Sequence, residues 1–308
     1  MSLRPTHRIN PLWKRHVRRG RAITLRPDPV IRSGQGVMLL GSCFAEEIRL
    51  ALGTSAPAVA MLPDYALLDF DRRLVRVDEL PGRNHMNYYS VFTVLQEIER
   101  CLGLWDQGPE DYWRTGDGWQ DPYRRLVLSP DRAALHEVTG RITALMRAAF
   151  ARADHFVFTF GMTEVFRDRI SGRYAAQKPG YMRGGGAEET EFVASTFADT
   201  LERMLRLSDL IAEAKPQARI FASISPVALA MTFSDQDIAV ANMQSKSTLR
   251  AALGEAVAAR ANLTYVPSYE AVMSRGPDAF ERDGRHVRRD VVAQITDGFR
   301  AAFVADGG

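Results

Sequence analysis

The sequence predicts an α/β protein built on a parallel central sheet flanked by helices. Short apolar runs that read as buried strands alternate with long amphipathic segments that read as helices, the pattern of a parallel sheet covered on both faces. The chain has 308 residues, 46% hydrophobic and 25% charged, an ordinary globular balance that excludes disordered, collagen-like and disulfide-scaffold chains.

The first strand is Val37-Met38-Leu39-Leu40, with Gly34 and Gly36 ahead of it as turn residues. Phe44, Ile48 and Leu52 then share one face of a helix. A second helix covers 90–104, followed by a turn-rich, aromatic stretch over 105–130 and a long helix from Arg132 to Arg152. His155 to Phe160 is the next strand, closed by Gly161. Residues 171–189 read as Gly-rich and irregular, 190–214 as a helix, and Ile220 to Ile224 as a strand stopped by Pro226. A helix over 236–261, a strand from Leu263 to Val266 and a helix from Val287 to Val304 complete the series. No internal repeat appears. The expected organisation is an N-terminal arm over 1–35 and one α/β domain over 36–308, carrying an insertion at about 54–130.

Net charge is +3, but residues 1–27 hold eight basic residues and no acid. That arm reads either as a solvated terminus or as a contact for an anionic surface. The rest of the chain is mildly acidic, which argues against a nucleic-acid binder. Two cysteines support no disulfide framework, and no window suits a membrane span or a secretory signal. A cytoplasmic location is the expectation.

Ligands on open parallel sheets bind where strands end and helices begin. Ser42 stands at such a turn. From the turn alone its hydroxyl reads first as the helix cap, and second as a nucleophile beside the unpaired N–H groups of the helix start. A serine nucleophile needs a base. Asp283-Gly284-Arg285-His286 places a carboxylate three residues before a histidine, near enough to orient the imidazole through Nδ1 and to stabilise the imidazolium.

Gly41-Ser42-Cys43-Phe44-Ala45 spells the motif of the GSCFA family, a bacterial group that resembles SGNH/GDSL hydrolases. Further blocks are similar to that family and occur in order: Asn87-Tyr-Tyr-Ser90, Gly161-Met-Thr-Glu164, Ser225-Pro226-Val227, Asn242 through Lys246 to Arg250, Pro267-Ser268-Tyr269-Glu270 and Asp283-x-x-His286. The resemblance implies a flavodoxin-like, three-layer SGNH fold. It also implies Ser42 as nucleophile, His286 as base and Asp283 as the orienting carboxylate. The block that ordinarily reads Gly-x-Asn-Asp is here Gly161-Met-Thr163-Glu164, so Thr163 stands where an oxyanion-hole asparagine is expected. Asn87 is the candidate for that missing side-chain donor, with the backbone N–H groups of Ser42 and Gly161 completing the hole.

Glu164, Lys246, Arg250 and Tyr269 are candidates for substrate contact, each with a structural alternative: a paired carboxylate, a solvated helix face for the two cations, and core packing. Trp105, Trp113 and Trp119, with Tyr112 and Tyr123, suit either a sugar or acyl platform or a small core within the insertion. The Gly-rich 179–186 stretch suits a lid or a plain loop. No metal, phosphate-loop or dinucleotide motif is present, so no cofactor is expected. The expected activity is that of an SGNH-type serine esterase or acyltransferase acting on an acyl ester, with carbohydrate O-acetyl groups as the first substrate class. The alternative is an inactive SGNH-fold module that binds a polysaccharide or an acyl carrier.

Overall fold

Strand β1 (Gly36–Gly41) is fully buried and leads through Ser42 into helix α1 (Cys43–Ser55). The computed structural model describes residues 23–64, 76–77, 87–176, 178–179, 186 and 188–305. Strands β2 (Ala60–Leu62) and β3 (Arg76–Val77) follow, then helix α2 (Val91–Cys101), capped by the Ser90 hydroxyl. The aromatic stretch holds β4 (Trp113–Thr115), β5 (Gly118–Gln120) and β6 (Val127–Ser129), and precedes α3 (Arg132–Arg152), which Asp131 caps. Strand β7 (His155–Phe160) is followed by β8 (Glu164–Asp168), β9 (Tyr174–Ala175) and β10 (Thr190–Ala194), then α4 (Phe197–Ala214) with a Thr196–Asp199 capping box. The chain closes with β11 (Ile220–Ile224), α5 (Ile238–Ala259), β12 (Leu263–Tyr265), α6 (Ser268–Met273) and α7 (Arg289–Phe303).

The central sheet is parallel throughout, in the order β12-β11-β7-β1-β2. Alternation along each strand sorts side chains into two cores, because successive Cβ atoms point to opposite faces. Met38, Leu40, Phe156, Phe158 and Phe160 enter a core built with α2, α3, α4 and α5. Val37, Leu39, Val157 and Phe221 enter the other, against α1 and α7. Two covered faces make three layers. Each fully buried side chain of this size contributes about 1.5–3 kcal/mol relative to exposure, so this alternation sets the register firmly.

Three expectations are corrected. Residues 190–194 form β10, antiparallel to β8, and the helix starts only at Phe197. The turn-rich 105–130 stretch supplies β4, β5 and β6, which join β3 in a four-stranded antiparallel sheet in the order β3-β6-β5-β4. The region taken as an insertion from about 54 includes β2, which pairs with β1 at the edge of the central sheet. Of the expected arm, residues 1–22 lie outside the described residues, whereas Ile31 is buried and bridges Val304 beyond α7. Most of the expected lid likewise lies outside the described residues. No helix among the described residues is long and apolar enough to cross a membrane.

Candidate active site

The carboxyl ends of β1, β7 and β11 open onto a cavity of about 380 Å³ whose lining includes Ser42, Asn87, Gly161, Ser225, Arg285 and His286. Gly41 has φ +148°, and a Cβ there would sit 2.4 Å from the Thr159 carbonyl oxygen. Only glycine lets the end of β1 approach β7 this closely. Ser42 then caps α1: its Oγ accepts the Phe44 N–H at 3.2 Å. Both readings of this residue therefore converge on one geometry, a buried serine oxygen at a helix N-terminus, where the dipole favours negative charge.

Thr159 holds Ser42 from below. The Ser42 N–H donates to the Thr159 carbonyl at 3.1 Å and to its Oγ1 at 3.0 Å, and the two hydroxyls pair at 3.0 Å. Sequence reasoning missed Thr159. Its signal was present, as a hydroxyl in an otherwise aromatic and aliphatic run, Phe156-Val-Phe-Thr-Phe160.

Asp283 and His286 form a pair on the loop before α7. Asp283 Oδ2 meets His286 Nδ1 at 2.5 Å, while Oδ1 accepts the Arg285 and His286 N–H groups at 2.9 and 3.0 Å. Those bonds, the Arg285 N–H first, hold the carboxyl well below the usual carboxylate range. His286 Nε2 faces Arg285 Nη1 at 3.4 Å. A guanidinium can only donate, so this contact fits the tautomer with Nε2 accepting and the proton on Nδ1 toward Asp283. No hydrogen bond joins Ser42 to His286 in this state. Arg285, anchored through Nε to the Ala228 carbonyl at 2.9 Å, was not singled out from the sequence.

Asn87 is buried and lies in a parallel bridge with Gly41, fixed by the Tyr88 N–H donating to the Gly41 carbonyl at 2.7 Å. That pairing extends the sheet edge just where β1 ends and places Asn87 beside Ser42. Gly161 lines the cavity, but its N–H donates to the Tyr89 carbonyl at 2.8 Å. Thr163 turns away: its N–H and Oγ1 engage Ser245 Oγ at 2.7 and 2.9 Å, and it is not part of the cavity wall.

The four expected contact residues separate clearly. Glu164 lines the cavity and accepts from Thr232 Oγ1 and the Phe233 N–H at 2.5 and 3.0 Å, so it fastens the 225–233 loop. Lys246 is neither a solvated cation nor a wall residue. It is 1% exposed and donates to the Gly161 and Val227 carbonyls at 2.6 and 2.9 Å. Asn242, one helical turn before Lys246 on α5, and the adjoining Ser245 brace Leu229 N–H and Thr163. This helix face thus fixes both site turns from behind. Arg250 pairs with Glu270 at 2.7 Å and stacks on Tyr265, and Tyr269 packs against the core, its hydroxyl pKa raised by burial; neither lines the cavity.

The aromatic residues of the insertion also stay clear of it. Trp105, Trp113, Tyr112 and Tyr123 are buried, with Trp105 edge-on to Tyr123 at 5.2 Å. Trp119 lies between Arg114 and Arg132. Tyr112 belongs to the core under α2 and α3, and Trp113 packs with Phe166 and Ala175, so none of these rings itself lines the cavity. Among the described residues no cluster of three or more His, Cys, Asp or Glu is placed to hold a metal ion.

The chain belongs to the GSCFA family, whose model matches residues 36–299. Among solved structures it is similar to a carbohydrate esterase family 3 enzyme from Talaromyces cellulolyticus, with 12% identity and a TM-score of 0.39 over 86% of this chain and 94% of that one. It is similar to a chain named a GDSL-like lipase from Parabacteroides merdae, with 10% identity and a TM-score of 0.42 over 90% and 98%. An acetyl xylan esterase from the rumen bacterium Butyrivibrio proteoclasticus aligns at 9% identity and a TM-score of 0.37 over 88% and 63%. No curated protein matches.

Proposed function

We propose that this member of the GSCFA family is a serine esterase or acyltransferase acting on an acyl ester. The observation that carries the reading is one juxtaposition: Ser42 and His286, distant in sequence, line one cavity, and Asp283 Oδ2 lies 2.5 Å from His286 Nδ1. Ser42 Oγ attacks the ester carbonyl while His286 Nε2 takes the hydroxyl proton. Collapse of the tetrahedral intermediate returns that proton to the departing alcohol and leaves the acyl group on Ser42. Water or a second hydroxyl then reverses the sequence, and ionised Asp283 stabilises the imidazolium in both halves. Asn87, buried beside Ser42, is the proposed amide donor to the oxyanion.

Val165, Phe166, Val227, Leu229 and Phe233 line the same cavity and support an acyl group as its occupant. A carbohydrate O-acetyl ester remains within this class, although the tryptophans that argued for a sugar pack elsewhere. A second reading has its own support. The Ser42 and Gly161 N–H groups are engaged, and no hydrogen bond joins Ser42 to His286, as suits a module that binds acyl ligands without turnover.

Intact mass after treatment with a fluorophosphonate separates the two. One adduct on wild type that is absent from Ser42→Ala and His286→Ala supports the acyl-transfer reading. A folded wild type that takes no adduct sinks it in favour of the binding module.

A further inference from the structure

We infer that the Ser225 hydroxyl is a catalytic donor to the oxyanion in this site, an inference that rests on the acyl-transfer reading. Ser225 is 1% exposed and is one of the residues lining the cavity, and its Oγ has no hydrogen-bond partner among the described residues. A buried hydroxyl without a partner is a standing cost to the folded state, and folds seldom keep one without a use for it.

Its position supplies that use. Ser225 follows β11, and its N–H donates to the carbonyl of Phe160, the last residue of β7, at 2.8 Å. Pro226 restricts Ser225 to extended backbone, so the residue is presented rigidly. A Cβ built on Gly161 would lie 3.6 Å from Ser42 Cβ and 3.9 Å from Ser225 Cβ. The two serines therefore flank the same glycine at the floor of the site.

Apart from Asn87, the expected donors are committed elsewhere: Ser42 N–H to Thr159, Gly161 N–H to Tyr89, and Thr163 to Ser245, so Ser225 acts beside the Asn87 amide. Ser90, another hydroxyl of the wall, pairs with Thr93. Ser225 carries one rotatable O–H and donates it to the carbonyl oxygen of the substrate as negative charge develops there. It donates a hydrogen bond and keeps its proton, so no further group is consumed. Because it lacks a partner before the charge appears, the bond it makes strengthens toward the transition state and lowers the barrier.

The test compares p-nitrophenyl ester turnover, the rate of fluorophosphonate labelling and the melting temperature in wild type, Ser225→Ala, Ser225→Cys and Ser42→Ala. Ser225→Ala lowers kcat and the labelling rate by about 10²-fold and shifts KM little. Its melting temperature is unchanged or higher, since no hydrogen bond is lost. Ser225→Cys, close in size with a weaker donor, falls between wild type and Ser225→Ala. A labelled wild type with full kcat in Ser225→Ala overturns this inference and leaves the acyl-transfer reading standing. A lower melting temperature with unaltered kcat assigns Ser225 to structure and overturns it as well. A wild type that takes no adduct overturns the acyl-transfer reading, and the inference with it.

Discussion

Glu97 and Asp283 are both carboxylates held by basic side chains, in opposite settings. Glu97 is 1% exposed and receives Arg100 and Arg124, the latter at 3.0 Å. Gln107 links Arg100 to Asp121 at 2.9 and 3.0 Å, and Thr139 closes the set on Asp121. Burial alone would raise the Glu97 pKa, but the two guanidinium groups overcome it and hold the carboxyl at about 2. The Asp283 side chain is 47% exposed, and its partner His286 44%. Its pKa is lowered chiefly by backbone N–H donors rather than by a fixed cation. The first cluster balances two positive and two negative charges in a dry interior and ties the small β-sheet to α2 and α3. The second stands half-exposed, with its histidine in the cavity wall. A buried, fully compensated pair locks a scaffold; a half-exposed pair with a titratable partner is available for chemistry.

The sharpest way to break this comparison is Asp283→Asn. It keeps the shape of the pair but reverses the tautomer, and turnover should fall by about 10⁴-fold while the melting temperature holds. Steady-state kinetics beside a thermal melt decide it, and retained turnover would remove Asp283 from the mechanism. Glu97→Ala should do the reverse. Leaving two buried guanidinium groups short of a partner costs about 3–5 kcal/mol, read as a lower urea midpoint, with Ser42 still labelled in the folded fraction.

Acid sharpens the same contrast. The Glu97 pKa is lower in the folded chain than its ordinary value of 4.5, so its stabilisation is complete above 4.5 and is lost as pH falls toward about 2. Urea midpoints across that window should fall more steeply for wild type than for Glu97→Gln, which carries no titrating carboxyl there. A smaller effect is expected from Thr159→Val, which keeps the packing and removes the hydroxyl that holds Ser42. A loss of about tenfold in kcat is expected, the equivalent of one hydrogen bond, and an unchanged rate would show that the Thr159 carbonyl suffices. The smallest belongs to the exposed Arg141–Glu137 pair, 2.7 Å apart, where Arg141→Ala should change stability by less than about 1 kcal/mol.

Much of the fold was legible because its signals are local. Arg132–Arg152 and His155–Phe160 match their expected bounds, since a 3.6-residue period and a continuous apolar run each survive any tertiary context. Strands β4 to β6 and β8 to β10 were missed because segments of two to five residues leave too few positions for a period to show. Within the site, the family blocks marked Ser42, Asn87, Asp283 and His286, and all but Asp283 line the cavity, with Asp283 bonded to His286. The same blocks misled where residue type and orientation part company. Lys246 looks like a surface cation and is a buried brace, and Thr163 looks like a donor and faces a helix.

The order of motifs and the apolar pattern, by themselves, determined a family, a layered α/β fold and a short set of polar residues at strand ends. Those are properties of spacing along one chain. Tertiary structure alone decided which N–H groups are already spent and that the Ser225 hydroxyl, buried at the cavity, has no partner among the described residues. The bonds that spend those N–H groups join segments about 70 to 120 residues apart. A donor's availability is set by what the fold packs against it, and nothing in the local sequence carries that information.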